Sequence, residues 1–148
     1  DLEHPLGNMQ YHPSAGWLRD NGHDVRMEKC VHIPNATRFL NLAKTNHQPY
    51  VVLHELSHAF HDRELGFEHA EIRGAYDAAV RGGKYKEVLH INGGTVEHYA
   101  LTNHKEYFAE CTEAYFGTND FHPFVRAELR LFDEKVFGVL EKVWGKVR

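Results

Sequence analysis

His54-Glu55-Leu56-Ser57-His58 sets two imidazoles four residues apart, with a carboxylate next to the first. On a helix this spacing puts both rings on one face, about one turn apart. Imidazoles so placed can share one tetrahedral Zn²⁺ at about 2.0–2.1 Å. Glu55 is turned about 100° from His54, so it flanks the metal without having to bind it. A carboxylate there can take a proton from zinc-bound water, whose pKa the metal lowers toward neutrality. Histidine accounts for 13 of the 148 residues. A shuffled chain of this composition would contain the pentapeptide about one time in ten, so its setting matters. Val51-Val52-Leu53 precede it and Ala59-Phe60 follow it, as expected of a buried helix.

A catalytic zinc needs a third protein ligand. His61 forms one stripe with His54 and His58, but three ligands from one straight helix would hardly surround an ion. A place beside a ligand or the substrate suits His61 better. The metzincin pattern fails, because it needs Gly and His where the chain has His61 and Glu64. Glu106 and Glu110 share a face of a later helix, among aromatic residues and Ala109. Buried carboxylates need partners, and zinc or a zinc-bound imidazole would serve. The plainer alternative has Glu106 closing a capping box with Asn103 and Glu110 facing water. His98 and His104 carry no supporting pattern. Asp62, four residues after His58, could accept an imidazole N–H or be an ordinary surface acid.

Taken together, the two segments resemble the catalytic domain of the lethal-factor-like zinc peptidases, the gluzincin group that includes anthrax lethal factor. The likeness rests on His54-Glu55-x-x-His58 and on Tyr99-x-x-Thr102-Asn103-x-x-Glu106-Tyr107-Phe108-Ala109-Glu110, with Tyr115-Phe116 further on. It covers about residues 50 to 117. It implies Glu106 as third zinc ligand, Glu110 as the acid orienting a ligand histidine, and Tyr99 as a phenol donor to the oxyanion. A phenol of pKa near 10 stays protonated and can donate where negative charge develops. Cys111-Thr112-Glu113 departs from the small and apolar residues expected after Glu110. The expected activity is peptide-bond cleavage with one Zn²⁺ and Glu55 as general base. The alternatives are a non-catalytic zinc-binding protein or a zinc hydrolase of a non-peptide amide.

The elements that must position these residues can be read coarsely. Pro5, Gly7, Pro13, Gly16, Asn21-Gly22 and Pro34 break residues 1 to 34 into loops and short strands. A hairpin is expected about Asn21-Gly22. Cys30 to Ile33 is the best strand, a candidate edge for pairing with an extended peptide. Asn35 caps a helix carrying Phe39, Leu40, Leu42 and Ala43. A second helix has Pro49 in its first turn and stops near Gly66. A third runs from about Glu68 to Val80, a fourth from Thr102-Asn103 to Phe116, and Pro123 opens a last helical region. Trp17 and Trp144 read as core, and Asn119-Asp120 as a turn.

The fold class is α+β, a helix-rich zincin-like domain with a small N-terminal sheet, and residues 1–148 form a single domain. Net charge is -4 with histidine neutral, which favours neither nucleic acid nor an anionic membrane. The expected partner is a peptide or protein substrate, and oligomeric state is left open. Cys30 and Cys111 read as free thiols, with Cys111 in the core. The absence of an initiator Met points to a trimmed or processed piece, with compartment undetermined.

Overall fold

A computed structural model of the chain describes residues 8–37, 39 and 48–145. The fold is α+β with helices dominant and two small antiparallel sheets. The first sheet pairs β1 (Gln10–Tyr11) with β2 (Val31–His32), in the register Gln10↔His32 and Tyr11↔Val31. Between them lies α1 (Ala15–Asp20), capped by Ser14, whose hydroxyl accepts the Gly16 N–H at 3.1 Å. The hairpin expected at Asn21-Gly22 is instead the end of this helix. Gly22 takes its left-handed φ of 73° there, since the same dipeptide chemistry serves a helix stop as well as a hairpin. Trp17 is not core: it is 46% exposed and stacks between the His12 and His23 rings.

Ala36, Thr37 and Phe39 are helical, as the Asn35 cap predicts, while Leu40, Leu42 and Ala43 lie outside the described residues. Pro49 sits in the turn before α2 (Val51–Phe60), which continues into a wider π turn over His61–Leu65 and stops at Gly66, φ 77°. Next comes α3 (Ala70–Gly82), a little longer than the expected end near Val80 and closed by Gly83 in the left-handed region. The second sheet, β3 (Val88–Leu89) with β4 (Thr95–Val96), turns through Gly93-Gly94. The small sheet is therefore not confined to the N-terminal part.

The central element is α4 (His104–Phe116). Asn103 caps it, accepting from the N–H groups of Lys105 (2.9 Å) and Glu106 (3.1 Å). Every residue from Tyr107 to Tyr115 is buried, as for a helix packed on all sides. Core partners are Ile72 and Ala75 of α3, Leu129 of α5 (Arg126–Phe132), and Val136, Phe137 and Leu140 of α6 (Glu134–Trp144). The last helical region is thus two helices. They join at Asp133, which caps α6 and accepts the hydroxyls of Tyr107 (2.6 Å) and Tyr85 (3.1 Å). Trp144 packs on Phe60 and Phe108 and donates to Thr112. Both cysteines are free, Cys111 buried and Cys30 exposed. No helix among the described residues is long and apolar enough to cross a membrane.

Candidate metal centre

Helix α4 is buried all round yet carries Glu106, Glu110 and Glu113 on the face it turns to α2. Their offsets of four and three residues make one helical stripe. Opposite, α2 presents His54 and His58, with ring centroids 4.7 Å apart and planes at 81°. Glu106 Oε2 lies 3.0 Å from His54 Nε2 and 3.2 Å from His58 Nε2. In place of the alternative capping box with Asn103, the Glu106 carboxylate turns to the two histidines. These three ligand atoms lie within 4.8 Å of one another. A tetrahedral zinc with ligands at about 2.0–2.1 Å has ligand–ligand edges of about 3.3 Å, close to the separations seen. The donor set of two imidazoles and a carboxylate therefore fits a zinc ion. The buried or half-buried group His54, His58, Glu106, Glu110 and Glu113 could hold a metal ion.

The other nitrogen of His54 has its own partners. Glu113 Oε1 is 2.8 Å from Nδ1, and Glu110 Oε1 is 3.3 Å from it. Burial opposes charge on His54, but its hydrogen bonds to the Glu106, Glu110 and Glu113 carboxylates carry its pKa well above the ordinary value. Burial also opposes ionisation of Glu106, yet its bonds to His54 and His58 hold it down at about 2. Burial pushes Glu113 up to about 7 and Asp120 up to about 6, with the Glu110 charge adding to both. A cation among these acids, either a protonated His54 or a bound metal ion, would offset the cost of burying their charge.

Glu55 is buried beside the cluster, and the Tyr11 backbone N–H donates to its Oε2 at 2.7 Å. Burial raises the Glu55 pKa, against the pull of His54 and His58. Tyr11 also donates its hydroxyl to Asp62 Oδ2 at 2.7 Å, and Lys29 Nζ binds the same oxygen at 2.5 Å. Asp62 thus ties the N-terminal sheet to the end of α2 through Tyr11 and Lys29. Tyr99, on a short 3₁₀ turn capped by His98, has its ring 6.5 Å from that of His54 and is 48% exposed. Burial of its base and the nearby Glu106 raise its pKa, so the phenol keeps its proton.

His61 lies apart from the group. It sits about 4.5 Å further along the helix axis than His58. Fully buried, it packs on Phe108, Phe67 and His104, and among the described residues neither ring nitrogen has a hydrogen-bond partner. Burial, with the neighbouring His104 and His58, pushes its pKa down to about 3. Asn119 is a fully buried tie, donating to the Glu110 carboxylate (2.9 Å) and main-chain carbonyl (2.8 Å).

A cleft of about 570 Å³ opens over the cluster. Asn8–Tyr11, Ile33–Asn35, Phe39, Gln48 and Val51 line it together with the histidines and glutamates. β1 reaches α2 through the Tyr11–Glu55 bond, and Ile33, at the end of the Cys30–Ile33 segment, also lines the cleft. Two contributors escape a reading of the sequence, Glu113 and the Tyr11 N–H. The stripe of Glu106, Glu110 and Glu113 is the signal that could have pointed to the first. Comparison with known protein families, curated proteins and solved structures finds no match for this chain.

Proposed function

We propose that this protein is a zincin-like, gluzincin-type zinc peptidase, with His54, His58 and Glu106 as ligands of one Zn²⁺ and Glu55 as general base. The observation that carries this reading is the convergence of His54 Nε2, His58 Nε2 and Glu106 Oε2 from two helices, with a buried Glu55 beside them. A purely structural zinc would need no carboxylate anchored alongside. When bound, the ion would polarise the scissile carbonyl and acidify a water molecule.

The chain's own groups account for the remaining chemistry. Tyr11 N–H holds Glu55 Oε2, leaving Oε1 to accept the proton of the attacking water and hand it to the departing amine nitrogen. The Tyr99 phenol, protonated and half-exposed at the cleft, can donate to the carbonyl oxygen as charge builds there. The amides of Asn8, Gln10, Asn35 and Gln48 and the apolar Met9, Ile33 and Val51 suit an extended chain carrying both main-chain amides and apolar side chains.

The test pairs metal analysis with digestion of a mixed peptide library, with and without chelator. Glu55→Gln should keep its zinc and lose at least about 10²–10⁴-fold in turnover. Full activity in that variant would sink the mechanism.

A further inference from the structure

We propose that Glu113 is the positioning residue for His54, fixing its tautomer and the aim of its metal-binding nitrogen, and that Glu110 is diverted from this role. The inference rests on the reading of His54 as a zinc ligand. Each His54 ring nitrogen faces a different carboxylate group: Nε2 meets Glu106, and Nδ1 meets Glu113 and Glu110. A single N–H makes one good hydrogen bond, and the 2.8 Å contact to Glu113 is the better made of the two. Glu110 is engaged elsewhere. Its Oε2 accepts the Asn119 Nδ2 donor at 2.9 Å, and its other oxygen stays at 3.3 Å from Nδ1. Asn119 is itself fixed, since its Oδ1 accepts the Phe121 N–H at 2.6 Å.

Glu113 is 3% exposed, and among the described residues His54 is the one hydrogen-bond partner of its carboxylate. A buried carboxylate with no other task is costly unless its one bond matters. Here the bond keeps the proton on Nδ1, so the lone pair of the metal-binding tautomer lies on Nε2, toward His58 and Glu106. A carboxylate acceptor also raises the basicity of that lone pair. The geometry is that of a carboxylate–histidine–metal relay, with the acid supplied one helical turn beyond Glu110.

Two measurements separate this inference from the reading beneath it. In ¹⁵N-histidine-labelled metal-free protein, the His54 Nδ1–H proton should resonate far downfield. The signal should move upfield in Glu113→Gln and stay in place in Glu110→Gln. Zinc affinity, from competition with a chromogenic chelator, should fall about 10–100-fold in Glu113→Ala. It should fall less in Glu113→Gln, which keeps the shape and a neutral acceptor. Cobalt-substituted Glu113→Gln should have an altered d–d spectrum, which a variant merely less stable would not. A proton signal that follows Glu110, or equal zinc affinity in wild type and Glu113→Ala, would overturn the assignment. A wild-type protein that takes up no zinc would instead overturn the metal reading, and the proton signal would still decide which acid holds Nδ1.

Discussion

Tyr11 joins the helix that carries Glu55 at two points: its N–H to Glu55 and its hydroxyl to Asp62, seven residues further along. Tyr11→Phe deletes only the second tie. A hydrogen bond to a charged group contributes about 1.5–3 kcal/mol net. Asp62 keeps Lys29, whose side chain is 40% exposed, so its charge is not stranded and the cost belongs near the low end, about 1.5 kcal/mol. For a chain of this size that lowers Tm by about 3–6 °C. The larger effect is expected on turnover. With the phenol untied, β1 can slide on α2, and the 2.7 Å bond that aims Glu55 loosens. A misplacement of about 1 Å at a reacting group can cost on the order of 100-fold. The assays are thermal melts, zinc content and kcat against KM on one peptide. The expected pattern is a modest Tm loss, full zinc, and a drop carried by kcat. Wild-type kcat together with a lowered Tm would refute the coupling of the Asp62 tie to the base.

Glu106 makes the metal-free protein sensitive to acid. Its folded pKa of about 2 lies below the ordinary 4.5, so its contribution is present above pH 4.5 and lost as pH falls toward 2. The difference amounts to about 3 kcal/mol, to be read from urea melts of metal-free protein; Glu106→Gln should flatten the curve between those limits. His54 works in the opposite sense: its raised pKa gives stability that is full below 6.5 and declines as pH rises above it. His61→Leu should stabilise the fold by about 1–3 kcal/mol, because it removes two buried, unpartnered ring nitrogens. Zinc content should not change, and a lowered Tm in that variant would refute this account of His61.

The two helices that carry the candidate site were legible because each is punctuated chemically. Asn103 caps one, Gly66 stops the other, and the four-residue spacings put histidines and glutamates on facing stripes. Glu113 was passed over for the opposite reason. In a row of core residues a third glutamate reads as an exception, and only the packing of α4 against α2 gives it a partner 59 residues away. The Asn21-Gly22 pair misled because a left-handed glycine ends a helix as readily as it turns a hairpin. Trp17 was expected in the core on size alone. A short helix on a two-stranded sheet has only one side to bury, and Trp17 stays half-exposed while it stacks on the buried His12 and half-buried His23 rings.

The bond that aims Glu55 comes from main chain. Any amino acid but proline supplies the same N–H at position 11, so the donor to Glu55 comes with the path of β1, while the Tyr11 side chain sets how firmly that path is held. Substitutions at that position are free to retune how firmly the strand is held through Asp62 while leaving the donor in place. Such substitutions would change how steadily the donor is held, and the turnover with it, without removing either the donor or Glu55.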